Sequence, residues 1–238
     1  MFDACAPREV ERRIGLPITR SVVDRSRAAV GGTLLTARLA LERGLACNTA
    51  GGSHHAARDY GAGFCTFNDV AVAARALLTE EAVARILVVD VDVHQGDGTA
   101  FIFEGEPAVF TFSLHAAKNY PARKARSDLD VELPDGTADG AYLSALAGVL
   151  PGLISQVQPQ LVFYNAGVDP HADDKLGRLC LSDAGLAERD AYVIATCLAA
   201  GVPVAGVVGG GYDADIDRLA RRHATLHRTA QAVGGLRL

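Results

Sequence analysis

An apolar run followed by alternating acidic residues and a histidine constrains this chain more than any other stretch. Residues 86–89 are all apolar, which is typical of a strand buried on both faces of a parallel sheet. Asp90, Asp92 and His94 follow at alternate positions, so an extended backbone places all three on one face. Carboxylates at the end of a buried strand carry a large desolvation cost unless cations or donors meet them. The stretch therefore predicts a divalent metal site, for example for zinc, or else an acidic turn that caps the next helix.

The position of this stretch favours the metal site over the acidic turn. Asp-x-Asp alone is a common pattern, whereas Asp-x-Asp-x-His at the end of a buried strand is much rarer. Open α/β sheets also bind their ligands just beyond the carboxyl ends of their strands.

Strand-like and helix-like segments alternate along the rest of the chain. Strands are predicted over residues 45–49, 86–89, 108–114, 161–166 and 203–208. Helices are predicted over residues 21–44, 68–81, 99–104, 141–157 and 182–200, and from Asp213 or Asp215 onward. This alternation predicts a single α/β domain, with a mainly parallel sheet between two layers of helices. We expect residues 1–14 to be an irregular N-terminal extension, residues 15–238 to be the domain, and residues 115–136 to be a long functional loop.

Composition and charge narrow the classes of partner. The 238 residues are 49% hydrophobic, which is enough for a sizeable core, and the net charge of −5 argues against nucleic acid or an anionic membrane as the main partner. Glycine and proline interrupt every long apolar stretch, so no transmembrane helix is expected. Five scattered cysteines without a Cys-x-x-Cys pair indicate reduced thiols in a cytoplasmic protein. The N-terminus lacks the apolar segment of a signal peptide.

Polar side chains follow four of the predicted strands, and parallel strands end at the same edge of a sheet. They are His54 and His55, then Asp90, Asp92 and His94, then Asp169, and finally Tyr212. Asp92, His94 and Asp169 would form a three-ligand site with an open position, which is typical of catalytic rather than structural zinc. Each residue also has a simpler interpretation. Asp169 could cap a turn before Pro170, the histidines could lie on the surface, and Tyr212 could be a packed aromatic.

Two further carboxylates suggest how the histidines could act in catalysis. Asp90 and Asp97 offer one carboxylate to each of His54 and His55, which would fix each ring tautomer and raise the basicity of the other nitrogen. One histidine could then take a proton from metal-bound water, and the other could help return it to a leaving amine. Tyr212 follows three glycines, a hinge that would let its phenol donate to a developing oxyanion.

Motifs at six separate places resemble the zinc-dependent histone deacetylase superfamily. They are GGSHHA, GFCTFND, VVDVDVHQGDG, FTFSLH, AGVDPHADDKLGRLCLS and GGGY. YNAGVD and KLGRLCLS are similar to the small class IV-like bacterial branch. The resemblance implies the arginase/deacetylase fold and removal of acetyl or longer acyl groups from an acylated lysine of a protein or from a small acetylated amine. It also implies Zn²⁺, or Fe²⁺, as the catalytic metal.

The resemblance assigns roles residue by residue. It makes Asp92, His94 and Asp169 the metal ligands, His54 and His55 the histidine dyad, Asp90 and Asp97 their partners, and Tyr212 the transition-state tyrosine. It places Gly63, Phe64, Tyr120 and Leu176 in the substrate channel. A structural K⁺ site would use Asp90, Ser113 and the main-chain carbonyls of Asp92, His94 and Leu114.

The sequence departs from the superfamily pattern at two places. Gln95 stands where many relatives have a second histidine, a position that is not a metal ligand. Relatives also open with further strands and an acidic rim loop. The sequence lacks this pattern before residue 15, which predicts an unpaired sheet edge and a missing substrate wall.

Two other functions are compatible with the motifs. One is a binuclear manganese ureohydrolase on the same fold, which would need more bridging aspartates near His94. The other is a metal-stabilised binding protein without catalytic activity, in which the catalytic roles given above would not apply. The sequence leaves the physiological substrate, the acyl chain, the metal and the oligomeric state open.

Overall fold

A parallel β-sheet forms the middle layer of the protein in this computed structural model, which describes residues 6–235. Its strands are β1 (Leu45–Cys47), β2 (Ile86–Asp90), β3 (Val109–Ala116), β4 (Leu129–Leu133), β5 (Leu161–Asn165) and β6 (Val204–Val207). The strand order is β1-β6-β5-β2-β3-β4, and every pairing between these strands is parallel. The prediction of a parallel α/β sheet is therefore confirmed.

Helices cover both faces of the sheet. They are α1 (Arg8–Ile14), α2 (Arg20–Arg43), α3 (Asp69–Thr79), α4 (Asp97–Phe103), α5 (Asp139–Val157), α6 (Asp183–Ala199) and α7 (Ile216–Gly234). Alternate side chains of β2 point to opposite faces. Leu87 and Val89 join a core with α5, α6 and α7, whereas Ile86 and Val88 join a second core with α2, α3 and α4. The three-layer αβα architecture predicted from the alternation of elements is confirmed.

Side-chain caps begin four of the helices. Thr19, Asn68, Ser182 and Asp215 each accept a hydrogen bond from a main-chain N–H in the first turn of the following helix. Ser182 is the first residue of the predicted helix 182–200, and Asp215 is one of the two predicted starts of the last helix. Gly44 ends α2 at a φ of 85°, which a residue without a side chain adopts readily.

Two predictions from local sequence were wrong. Residues 115–136 are not one long loop, because Leu129–Leu133 pairs with β3 as an edge strand whose outer residues are only partly buried. The alternating sequence Leu-Asp-Val-Glu-Leu is short and lies in a segment rich in charged residues, so its period of two did not stand out as a strand. The segment 1–14 is not irregular over its described part, since Arg8–Ile14 is helical and buries Ile14. Residues 1–5 of that segment, including Cys5, lie outside the described residues.

Among residues 6–235, one helix is long and apolar enough, by length and composition alone, to cross a membrane. This helix is α5, and it contains Pro151. Its inner face places Tyr142, Leu146 and Leu150 fully inside the core, and core helices meet the same criterion.

Candidate active site

The strand order brings the predicted rim residues together. β1, β6, β5 and β2 are consecutive neighbours in the sheet, so the segments that follow them leave side by side. The loop that contains His54 and His55 follows β1, and the loop of glycines 209–211 follows β6. Asp169 follows β5, and the turn from Asp92 to His94 follows β2. The site is built from these four segments at the carboxyl edge of the sheet.

Three predicted metal ligands form a buried cluster. The candidate ligand atoms of Asp92, His94 and Asp169 all lie within 4.8 Å of one another. His94 Nδ1 is 3.0 Å from Asp92 Oδ1 and 3.1 Å from Asp169 Oδ2. One ring nitrogen and two carboxylate oxygens therefore converge on a common point.

Main-chain donors hold the outer oxygens of the two carboxylates. The N–H of Gly210 donates to Asp92 Oδ2 at 2.7 Å, and the N–H of Val93 donates to Asp169 Oδ1 at 2.9 Å. These bonds orient each carboxylate so that its other oxygen faces His94. This support of the ligands from outside is typical of metal sites in proteins.

The two buried carboxylates of the cluster carry more negative charge than the His94 imidazole can balance. Burial, together with the charge of Asp92, raises the pKa of Asp169 to about 7. His94 is also buried, which opposes its protonation, yet Asp169 and Asp92 raise its pKa to about 10. Two buried carboxylates this close repel each other, so one must gain a proton or a cation. The donor set of two carboxylates and one imidazole fits a divalent cation such as zinc or iron.

Each of the adjacent histidines has its own carboxylate, as predicted. His54 Nδ1 lies 2.6 Å from Asp90 Oδ2, and His55 Nδ1 lies 2.6 Å from Asp97 Oδ1. All four side chains are buried, and the two imidazole rings lie 4.1 Å apart between centroids. Because a carboxylate binds Nδ1 of each ring, Nε2 is the nitrogen that remains available for proton transfer or hydrogen bonding.

The two histidines differ in their affinity for a proton. Burial opposes the protonation of His54, but the nearby charges of Asp90 and Asp92 outweigh it and raise its pKa to about 9. Burial and the positive charge of His54 lower the pKa of His55 to about 4, despite its bond to Asp97. The surrounding charges therefore favour the protonated form of His54 and the neutral form of His55.

Tyr212 lies beside the cluster of Asp92, His94 and Asp169, on a main chain that is held by hydrogen bonds from both sides. Its N–H donates to Asp174 Oδ2 at 2.6 Å, and its carbonyl accepts from the N–H of Lys175 at 3.0 Å. Its ring centroid is 6.2 Å from that of His94. Burial and the charges of Asp92 and Asp169 raise the pKa of Tyr212 above its ordinary value, so its hydroxyl keeps the proton that it would donate.

The glycines before Tyr212 have a different role from the predicted hinge. A Cβ on Gly210 would lie 2.4 Å from Asp169 Oδ2, and a Cβ on Gly211 would lie 2.5 Å from Val168 Cγ2. Neither position has room for a side chain. Gly210 allows the chain to pass directly against the carboxylates of Asp92 and Asp169.

A cavity of about 430 Å³ connects this cluster to the surface. Its lining includes all four predicted channel residues, Gly63, Phe64, Tyr120 and Leu176, together with His55, His94 and Tyr212. Tyr120 packs edge-on against His55 at 4.8 Å, and Phe64 lies 5.8 Å from Tyr212. Phe64 has a φ of 64°, which is rare for a bulky residue and is typical of functional sites.

Residues 5–228 match the sequence profile of the histone deacetylase domain. The chain belongs to the histone deacetylase family.

Relatives agree with this membership, and a solved structure has a similar fold. The chain is 57% identical over 225 residues to an uncharacterized protein of Picosynechococcus sp., covering 94% of this chain and 75% of that protein. It is 34% identical over 198 residues to histone deacetylase 2 of Arabidopsis thaliana, covering 82% of this chain and 51% of that protein. The crystal structure of an acetylpolyamine aminohydrolase from Burkholderia pseudomallei has a similar fold, with a TM-score of 0.76 and 24% identity over 91% of this chain and 65% of that one. The chain thus spans about half the length of the Arabidopsis histone deacetylase.

Several residues that support the deacetylase-like site were missed by the sequence analysis. Asp69 accepts hydrogen bonds from the N–H groups of Gly52 and Ser53 and from the hydroxyl of Thr33, which holds the loop before His54. Asn165 donates to Asp90 Oδ1 at 3.0 Å, directly behind His54. Asp69 lies in the motif GFCTFND and Asn165 in the motif YNAGVD. Each is a polar residue within or beside an apolar segment, and this pattern could have indicated a structural role.

A buried arginine holds the main chain just before Asp169 by hydrogen bonds. Arg189 is fully buried and donates to the carbonyls of Gly167 and Ala166 at 2.6 and 3.4 Å. Its charge is balanced by the adjacent Asp190, at 2.8 Å. In the sequence Arg189 stands inside a helix among polar residues, so nothing local marked it as buried.

Two residues of the predicted structural potassium site lie on neighbouring strands of the sheet. The sheet register places Asp90 directly opposite Ser113, as a shared ligand set would require. Ser113 Oγ lies 2.9 Å from His115 Nδ1. The site, which would also use Asp92, His94 and Leu114, stays a prediction.

Proposed function

We propose that this protein is a metal-dependent deacylase that hydrolyses the amide bond of an acylated lysine or a related amine. The supporting observation is that one cavity open to the surface is lined by His94, which belongs to the buried Asp92–His94–Asp169 cluster, by the carboxylate-paired His55 and by Tyr212. Family membership supports the same reaction class. The acyl group would be acetyl or longer.

Asp92, His94 and Asp169 would hold the divalent metal, for which Zn²⁺ and Fe²⁺ are the candidates. When bound, such an ion supplies Lewis acidity, which polarises a carbonyl and lowers the pKa of a water molecule. The structure describes one group of at least three His, Cys, Asp or Glu residues with this geometry among residues 6–235. The nearby carboxylate of Asp90 is occupied by His54 and Asn165, which favours one catalytic ion over the binuclear site of a ureohydrolase.

We assign proton transfer to His55 rather than to His54. His55 lines the cavity, and its low pKa leaves it able to accept a proton at neutral pH. Asp97 holds its Nδ1, so the accepting atom is Nε2. After the attacking water loses its proton to His55, the same imidazolium can protonate the leaving amine. His54, held by Asp90 at Nδ1, would stabilise the negative charge that develops nearby.

Tyr212 would donate a hydrogen bond to the oxyanion of the tetrahedral intermediate. Phe64 and Tyr120 form apolar walls for an alkyl chain and help to exclude water from the reacting bond, although each remains nearly half exposed at 45%. These roles need an extended acylated side chain that reaches from the surface to His55.

The test is hydrolysis of acyl-lysine peptides by the purified protein, combined with metal analysis. We expect about one divalent ion per chain, loss of turnover on chelation, and recovery when Zn²⁺ or Fe²⁺ is added back. His55→Ala should abolish turnover and retain the metal, since His55 is not a ligand. Stoichiometric metal with no hydrolysis of any acyl-amide would contradict the proposal and would favour the inactive, metal-stabilised binding protein.

A further inference from the structure

The outer end of the active-site cavity carries a concentration of positive charge. Arg13, Lys118 and Arg178 line it there, and its described lining contains no Asp or Glu. The whole chain has a net charge of −5, so this local excess of cations does not follow from its composition.

Separate parts of the chain place these cations at the mouth. The helix α1 ends beside Phe64, because the N–H of Phe64 donates to the carbonyl of Ile14 at 2.6 Å, and this contact positions the adjacent Arg13. The guanidinium of Arg13 lies 5.0 Å from the ring centroid of Tyr60, a cation–π distance that orients it.

Lys118 and Arg178 come from two loops that one buried asparagine joins. The side chain of Asn119 donates to the carbonyl of Leu176 at 2.6 Å and accepts from the N–H of Arg178 at 3.0 Å. Lys118 is the residue before Asn119. Its ammonium and the Arg178 guanidinium share Asp135 Oδ2, at 3.8 and 3.2 Å.

One shared carboxylate does not balance the cations at the mouth of the cavity, which Arg13, Lys118 and Arg178 line, so the mouth has a net positive charge. Asp135 can balance only one of the two cations that face it, and Arg13 has no carboxylate partner among the described residues. The side chains of Lys118 and Arg178 are 74% and 55% exposed, so their contacts with Asp135 are weak and exchangeable. A carboxylate on a bound substrate could take the place of Asp135 at either cation.

We propose that this mouth selects acyl-lysine substrates in which acidic side chains flank the acylated lysine. The inference rests on the proposed deacylase function and specifies its substrate class. A polyamine carries its remaining charge as ammonium groups, which Arg13, Lys118 and Arg178 would repel. The acidic flanks bind outside the cavity while the neutral acylated side chain enters it.

The first test compares peptides that differ only in the residues flanking the acyl-lysine. Asp, Asn and Lys flanks provide acidic, neutral and basic members, and Asn matches Asp in shape. At low salt we expect kcat/KM to fall in that order, about tenfold from first to last, because each exposed ion pair contributes about 2- to 5-fold. The difference should lie in KM. It should nearly vanish at about 1 M salt, where the Debye length is roughly 3 Å.

Variants then assign the preference to the mouth. The triple variant Arg13→Gln, Lys118→Gln, Arg178→Gln should lose the preference, so that its kcat/KM is about equal for the Asp-, Asn- and Lys-flanked peptides. The charge reversal Lys118→Glu, Arg178→Glu should favour the Lys-flanked peptide. A control that removes the same charge from exposed positions elsewhere, Arg25→Gln, Arg43→Gln, Arg221→Gln, should behave as the unaltered protein.

The possible failures are distinguishable. Equal kcat/KM for all three peptides, a preference that survives the triple variant, or faster hydrolysis of a mono-acetylated polyamine than of the acidic peptide would each overturn this inference and leave the deacylase function intact. No hydrolysis of any substrate by the metal-loaded protein would overturn the proposed function, and this inference with it.

Discussion

The N–H of Gly210 donates a 2.7 Å hydrogen bond to the carboxylate of Asp92, although 118 positions separate the two residues in the sequence. The bond joins the loop after β6 to the turn after β2 and orients one of the proposed metal ligands. A Cβ at position 210 would also lie 2.8 Å from Asp92 Oδ2. The glycine is therefore required by the space around it as well as by its hydrogen bond.

Gly210→Ala should displace the two ligand carboxylates and lower metal affinity. The added methyl would stand 2.4 Å from Asp169 Oδ2, so that carboxylate must move. We expect at least a tenfold loss of metal affinity, as for other disturbances of the surroundings of a metal site, measured by titration with Zn²⁺. Gly148→Ala is the matched control, because nothing lies within 4 Å of its Cβ in α5. It should leave the metal unchanged and stabilise the fold by about 0.5–1 kcal/mol.

Asp92→Ala and Asp169→Ala should each lose both metal and activity. Each substitution removes one of three ligands and leaves His94 facing a single carboxylate. Metal analysis after dialysis is the measurement, with Asp59→Ala, at an exposed position, as the control. Full metal occupancy in both ligand variants would refute the assignment of the site.

Tyr212→Phe should lower turnover by a factor of about 10²–10³, or roughly 3–4 kcal/mol, and leave the metal and KM near normal. The phenol acts on charge that exists only in the transition state, and the substitution keeps the ring that packs against Phe64. Tyr192→Phe on α6 is the control and should have normal turnover. Unchanged turnover in Tyr212→Phe would show that Tyr212 is only a packing residue.

Arg189→Met should destabilise the fold by about 3–5 kcal/mol, because it leaves the carboxylate of Asp190 buried without its cation. The carbonyl of Gly167, two residues before Asp169, also loses its donor. Urea unfolding measures the change. If the charge pair is responsible, Asp190→Asn should recover part of the loss when it is combined with Arg189→Met. Equal stability of Arg189→Met and the unaltered protein would contradict this account.

His115 should make the fold sensitive to mild acid. Burial lowers its pKa from 6.5 to about 4 in the folded chain. The unfolded chain therefore takes up this proton first, and stability falls as the pH drops from 6.5 towards 4, by at most about 3 kcal/mol. Above pH 6.5 and below pH 4 the residue contributes no slope. His115→Gln should flatten the pH dependence of the free energy of unfolding in that window, and an unchanged slope would exclude His115 as its source.

Most of the secondary structure could be predicted because most of the elements have a local signal in the sequence. The apolar run of β2, the N-cap serine of α6 and the C-cap glycine of α2 depend on neighbours within a few residues. β4 and α1 lacked such signals. A short edge strand with charged neighbours and a seven-residue helix form because β3 and Phe64 provide partners for them.

The sequence by itself determined the chemistry that the site contains. Asp90, Asp92 and His94 alternate after a buried strand, a pattern that predicts a metal site at the end of that strand, and the family motifs supplied the partners. Only the tertiary structure decided how these groups act on one another. The order β1-β6-β5-β2 sets which loops are neighbours, and burial among unlike charges separates the pKa values of His54 and His55. The buried Arg189 and the positive mouth also depend on residues that meet only after folding, because desolvation and charge interactions follow distance in space rather than distance along the chain.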